Sequence, residues 1–366
     1  MRILIAQASA AAKGGAENYA AALRHVLIND GPAVGTIDVR GHTPPGGKRS
    51  RLPLAITGRA LWNWAQVCRA LPKIALDYDR VILAYGEGPP LPVPTLTLRH
   101  SPTLFATDAR LLACVGARPT GVRRAYIQLC RRVAGPIAGP HQTTTLCNTR
   151  WTAQICADVA GFPSDGILYP KVDRPTAPLN MRKPYRVLIL GRIVPNKRIE
   201  EAIAVCETLH LQGFPIEVEV LGRADSRYAR RLVAQLSRKA HVRVTPNANG
   251  ATRARALAEA RFGLHMFRGE HFGIAVAEMI LHGVTPLVFD DGGICELVTT
   301  PQLRFRDTRE AASKLAALCL RPDRADRMLT DLQRGAALNA AVNFDENALH
   351  VLRDWLDEGW VRHAAQ

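Results

Sequence analysis

Short apolar runs alternate along the chain with longer stretches whose apolar positions recur every three to four residues. That pattern predicts parallel strands separated by helices. Residues 2–6 read as a buried strand and 16–27 as a helix after a Gly-Gly turn. Residues 34–39 read as a strand, 42–53 as a Pro/Gly/basic loop, and 61–76 as a helix that Pro72 must kink or end. Residues 80–84 form a buried strand, and 95–102 alternate like one that closes on His100-Ser101-Pro102. A strand at 143–147 leads into a helix capped near Asn148 or Thr149. After a Pro-rich linker at 175–184 the alternation resumes. Strands are expected at 185–190, 216–221, 242–245, 262–266 and 285–289. Helices are expected from about residue 199, at 227–239, 252–260 and 272–281, and from 308 onward, the last one amphipathic and reaching about residue 360. The series predicts an α/β chain of two doubly wound domains, 1–173 and 174–342, with 343–366 as a terminal helix.

The most informative stretch is Phe267-Arg268-Gly269-Glu270-His271-Phe272-Gly273-Ile274-Ala275-Val276-Ala277-Glu278. From Phe272 to Leu281 the residues are apolar or small on every face except for Glu278, which predicts a buried helix. A buried carboxylate needs a partner. Glu270 lies just ahead of that helix, where free amides and the positive dipole end favour anions. With a start near Phe272, Glu278 sits ~9 Å along the axis at ~1.5 Å per residue. Two carboxylates so spaced suit two parts of one elongated polyol, with the helix amides between them. On spacing alone the plainer reading is preferred: a surface glutamate and a core glutamate satisfied by a neighbouring loop.

Other turns hold candidate chemistry. Arg192 and Lys197 flank a strand-to-helix loop, where two cations and a helix start would stabilise charge on a diphosphate leaving group. Gly14 and Gly15, within Lys13-Gly14-Gly15-Ala16-Glu17, allow close backbone approach to a phosphate. His100 falls at a strand's carboxyl end, where open α/β sheets bind ligands. Asp77-Tyr78-Asp79 has the Asp-x-Asp wording of a metal site, but it directly precedes a buried strand and turn chemistry explains it. No divalent-metal site is predicted.

Glu270 and Glu278 at Glu-x7-Glu spacing, with Phe272-Gly273 between them and Gly292-Gly293-Ile294-Cys295-Glu296 beyond, resemble the retaining nucleotide-sugar glycosyltransferases of family four. That family has the GT-B fold, two Rossmann-like domains facing each other across a cleft. The wording from Glu270 to Ile274 is most similar to members that use GDP-mannose. The resemblance covers nearly the whole chain, with specific motifs in the second half and loose ones in the first. It implies a metal-independent cytoplasmic enzyme moving a sugar, mannose as first choice, from a nucleotide-diphospho-sugar to an acceptor hydroxyl. The setting would be glycan, glycolipid or polysaccharide assembly.

By the same resemblance Arg192 and Lys197 bind the diphosphate, Glu278 the ribose hydroxyls, and Glu270 and His100 the sugar. Amides around Phe272, Gly273 and Ile274 face the sugar or phosphate, and Gly14 and Gly15 close over the diphosphate from the first domain. The acceptor approaches on the leaving-group face and the departing phosphate helps accept its proton, so no protein nucleophile is needed. The sugar nucleotide is a co-substrate, and no other cofactor is implied. The helix within 343–366 is expected to return to the first domain. Asp290-Asp291 ahead of Gly292 is more acidic than the family pattern.

Length and charge refine this picture. The 366 residues suit two domains that each bury a core. No run approaches the ~18 apolar residues of a membrane span, and the amino terminus reads as a strand rather than a signal peptide. Eight cysteines without a Cys-x-x-Cys pair indicate neither a zinc site nor a disulfide framework, which fits a reducing cytoplasm. Net charge is +16, and residues 1–178 hold 21 Lys/Arg against 10 Asp/Glu. Between Arg110 and Arg132, Arg118, Arg123, Arg124 and Arg131 interleave with apolar residues. That mixture suits the anionic inner face of a membrane and a lipid-linked acceptor, and it suits an ordinary solvated helix equally. The charge alone suggests one rival, a non-enzymatic nucleic-acid-binding protein, but nucleic acid is not expected as a partner because Lys/Arg clusters with aromatic platforms are missing. An epimerase on the same fold is the enzymatic rival, and it would turn over donor without acceptor.

Overall fold

A computed structural model describes residues 1–9, 14–52, 56–107, 109, 112, 120–175 and 182–357. Lys13, the basic positions Arg110 and Arg118, the linker from 176 to 181 and the expected helix end near residue 360 lie outside the described residues. The chain divides into two compact units, Met1–Lys171 with Asn343–Gln366, and Val172–Val342.

The first unit is built on a seven-stranded sheet of β1 (Arg2–Ala6), β2 (Ala33–Asp38), β3 (Gly41–Thr43), β4 (Arg80–Leu83), β5 (Thr95–Arg99), β6 (Thr144–Cys147) and β7 (Gly166–Ile167). The spatial order is β3-β2-β1-β4-β5-β6-β7, with only the β2–β3 pair antiparallel. Side chains alternate across a strand, and β1 shows why its apolar run is unbroken. Ile3 and Ile5 pack with Leu23, Leu27, Leu352 and Trp355 on one face. Leu4 and Ala6 pack with Trp64, Leu71, Val81 and Leu83 on the other. Helices on both faces thus bury the sheet from each side. Pro72 falls in the last turn of the helix Ala60–Ile74, two residues before its end. Asp79 accepts the Arg2 amide at 2.6 Å, in keeping with a structural role for the Asp-x-Asp wording.

The second unit holds β8 (Arg186–Leu190), β9 (Glu217–Gly222), β10 (Val242–Pro246), β11 (Phe262–His265), β12 (Thr285–Phe289) and β13 (Arg304–Phe305). Its order is β10-β9-β8-β11-β12-β13, and every pair is parallel. Sequence order reverses at β8, so a crevice opens between the loops that follow β8 and β11.

Two expectations about the central helix are corrected. It spans Ile274–Leu281 rather than starting near Phe272, because Gly273 adopts φ 92° and caps it. It is also not buried on every side. Val276, Ala277, Met279 and Ile280 are buried, whereas Ile274, Ala275, Glu278 and Leu281 form a half-buried stripe. Small and apolar residues here mark a partly open face, so apolarity all round overstated burial.

Candidate functional site

In the second unit the residues singled out by sequence converge at the β8/β11 crevice. The loop after β8 brings Arg192 and Lys197, and the loop after β11 brings Glu270. Arg192 is exposed, and among the described residues no carboxylate pairs with it. Lys197 lies over the Phe267 ring, 4.7 Å from its centroid, and its Nζ is ion-paired with Glu270 Oε2. The same Oε2 also meets His265 Nε2 at 3.0 Å. Burial pushes the Glu270 carboxyl up, but the Lys197 charge and the His265 hydrogen bond outweigh it and hold the group well below the usual range. Burial and Lys197 push the His265 imidazole down, against the pull of Glu270.

Backbone contacts fix Glu270 from the other side. Gly292 bridges to it as a short parallel pairing, and the Ile294 amide donates to the Glu270 carbonyl at 3.2 Å. A Cβ on Gly292, where φ is 101°, would stand 2.4 Å from that carbonyl oxygen. Only glycine fits there. The acidic pair ahead of it serves this loop. Burial raises the Asp291 carboxyl against hydrogen bonds from the Gly269 and Gly292 amides. Asp290 pairs with Arg304 at 3.3 Å and Arg306 at 3.5 Å.

Glu278 is not a lone core carboxylate. It is half-buried on the open stripe of its helix and ion-paired with Arg253 from the helix Gly250–Glu259. Measured from Ile274, it lies ~6 Å along the axis at ~1.5 Å per residue. Phe272 and Gly273 are buried at the helix start, with Ile274 half-buried beside them.

In the first unit, Gly14 caps the helix Gly15–Asn29 with extended backbone and no side-chain hydrogen bond. His100 directly follows β5, and its Nε2 donates to the Ala84 carbonyl at 3.0 Å. Tyr19, in the opening turns of that helix, meets the His100 ring edge-on at 5.0 Å. The Gly-Gly turn and His100 therefore share one end of this sheet. The loop beyond His100 is clamped by the buried Glu87, which accepts from Thr103 Oγ1 at 2.5 Å and from the amides of Leu104 at 2.6 Å and Phe105 at 3.0 Å. Arg99 lies 3.5 Å from Glu87 and stacks on Phe162.

Sequence reasoning missed His265, Arg253 and Glu87. A polar residue inside the apolar run of β11 was a visible signal for His265. Arg253 and Glu87 gave none, since surface arginines and loop glutamates are common.

Comparison with known proteins agrees with this architecture. A sucrose-phosphate synthase from Thermosynechococcus elongatus superposes with a TM-score of 0.68 at 15% identity, covering 97% of this chain and 98% of that one. Anabaena HepE, solved with UDP and glucose, gives 0.65 at 14% identity, with 96% and 99% covered. A glycosyltransferase from Rickettsia africae gives 0.61 at 13% identity, with 96% and 99% covered. The fold is GT-B, with two Rossmann-like parallel sheets and flanking helices. Within the chain, residues 175–328 match the family described as Glycosyl transferases group 1. No curated protein matches the sequence.

Proposed function

We propose that the chain is a retaining glycosyltransferase that takes a sugar from a nucleotide-diphospho-sugar. The observation that supports this most is the convergence of Arg192, Lys197 and Glu270 at the β8/β11 crevice of the unit that matches the glycosyltransferase family. Lys197 and Arg192 neutralise the charge that develops on the bridging oxygen as the sugar C1–oxygen bond breaks. The acceptor oxygen bonds to C1 on the same face, and its proton passes to the departing phosphate. Glu270 orients the sugar. Glu278 takes the ribose hydroxyls, with Arg253 as its partner when the nucleotide is absent. His100 and the Gly14-Gly15 turn keep the sugar and diphosphate roles that the sequence resemblance implies.

GDP-mannose is the first donor to test, from the wording around Glu270. UDP-glucose is the second, since HepE, which shares the fold, has been solved in complex with it. A melting panel of sugar nucleotides tests the proposal: one donor should raise the melting temperature selectively, and a panel with no response contradicts it. Glu278→Gln should weaken nucleotide binding by about 1–3 kcal/mol, because one charge-assisted hydrogen bond is altered. Unchanged calorimetric affinity with a lower melting temperature would make Glu278 merely the structural partner of Arg253. Turnover should survive EDTA, since Arg192 and Lys197 supply the positive charge. Loss on chelation, restored by magnesium or manganese, would contradict metal independence.

For the acceptor we favour a glycan or lipid-linked hydroxyl reached from the cytoplasmic side of a membrane. Among the described residues no helix is long and apolar enough to cross a membrane. The helix Gly121–Ala134 instead offers a peripheral surface. Val122 is 85% and Leu129 50% exposed, beside exposed Arg123, Arg124, Arg131 and Arg132, with no acidic residue in the helix. Each such cation near an anionic leaflet contributes about 1 kcal/mol, fading within a Debye length. Cosedimentation with anionic vesicles at low salt, lost at high salt or with neutral vesicles, is expected. Indifference to lipid charge removes the membrane part alone.

A further inference from the structure

Glu270 Oε2 accepts from two donors of different kinds, while Oε1 has no hydrogen-bond partner among the described residues. Lys197 is a long side chain on a loop, 18% exposed. His265 is the last residue of β11, only 5% exposed, in a strand paired on both sides by β8 and β12. One donor can swing away; the other cannot.

We propose that His265 is a positioning residue that locks Glu270 so that Oε1 is presented to a hydroxyl of the transferred sugar. The inference rests on the reading of Glu270 as the sugar-orienting carboxylate. Lys197 has two partners to serve, Glu270 in the empty site and the diphosphate in the filled one. When a diphosphate draws Lys197 away, Glu270 loses one of its two restraints. Without a second, its carboxylate would rotate about side-chain torsions that cost little. His265 supplies that second restraint from the rigid sheet, which is where a positioning group acts most accurately.

The chemistry of the pair suits the role. A carboxylate only accepts, so Nε2 must carry the hydrogen, which sets the tautomer. Burial and the Lys197 charge lower the imidazole's proton affinity, so the ring donates while remaining uncharged. An uncharged donor holds Glu270 without adding a third cation to the crevice. It also leaves the carboxylate negative and able to accept from a sugar hydroxyl at Oε1. The substrate consequence is a sugar that keeps a free hydroxyl at the position facing Glu270.

The test compares His265→Leu, which removes the donor at similar volume, with His265→Gln, which restores an N–H, and with Glu270→Gln. With saturating donor, His265→Leu should lower kcat by about one to two powers of ten, the scale of a small misplacement at a reacting centre. Calorimetric affinity for the nucleoside diphosphate should stay unchanged. His265→Gln should recover much of the loss, and His265→Leu should add little to Glu270→Gln in the double variant. The inference is overturned if His265→Leu keeps wild-type kcat, if diphosphate affinity and melting temperature fall along with kcat, or if Gln is as poor as Leu. A slow Glu270→Gln beside a normal His265→Leu sinks this inference alone. A Glu270→Gln protein as fast as wild type removes the sugar role of Glu270 and the inference with it.

Discussion

Lys197→Ala and Arg192→Ala are each expected to lower turnover by about two to three powers of ten, the scale seen when one charge-stabilising group is lost. Both residues sit in the loop after β8, at the crevice where sheet order reverses. Their positive charge binds the diphosphate and matters most as the sugar–oxygen bond breaks, so kcat should fall in addition to the loss of donor affinity. The two variants should differ in one respect. Lys197→Ala also leaves Glu270 with His265 alone, whereas Arg192 has no such partner among the described residues. A melting-temperature change confined to Lys197→Ala would report that difference. Near wild-type turnover in both variants would remove the diphosphate assignment.

Arg186→Met is expected to destabilise the second unit by about 3 kcal/mol, the lower end of the cost of breaking a buried ion pair by removing one partner. Arg186 begins β8 and is 8% exposed, with Glu219 at 3.2 Å and Glu259 at 2.6 Å, themselves 1% and 9% exposed. Without Arg186, Glu219 keeps only Arg255, at 3.1 Å, which softens the loss. The network sits at the amino ends of the strands, away from the crevice, so folded protein should retain its kcat. Urea unfolding measures the change. A loss below about 1 kcal/mol, the range of exposed pairs, would show that Arg255 and Lys183 compensate for Arg186.

Much of the architecture was legible because central strands such as Arg2–Ala6 and Arg186–Leu190 are buried on both faces and so appear as short apolar runs. Arg2–Ala6 coincides with its expected span, and the helix Ile199–Leu211 begins where expected. Boundaries moved where backbone conformation, rather than side-chain polarity, sets the end. Gly273, at φ 92°, starts the central helix two residues late, and hydrophobicity does not report φ. The cation loop and Glu270 were singled out by the family resemblance, since two cations in a loop and two spaced glutamates are unremarkable in pattern alone. Their partners were not. Arg253 and His265 reach Glu278 and Glu270 from elements 25 and 5 residues away. Only the register of the fold makes those pairs adjacent.

The clasp of Gly292 on Glu270 shows the same limit. A Gly-Gly pair signals a turn, but its reason here is a carbonyl of another loop that a Cβ would strike at 2.4 Å. Similarly, Asp290 and Asp291 are more acidic than the family pattern. Their carboxylates are engaged with Arg304, Arg306 and backbone amides, so the acidity serves the loop.

The most direct measurement is a calorimetric titration of wild-type and Lys197→Ala protein with the sugar nucleotide chosen by melting, its nucleoside diphosphate and its nucleoside monophosphate. Wild-type protein should bind both diphosphate forms more tightly than the monophosphate, and Lys197→Ala should lose much of that difference. A wild-type protein that binds none of the three, or that binds monophosphate and diphosphate equally well, would contradict a donor site at the β8/β11 crevice.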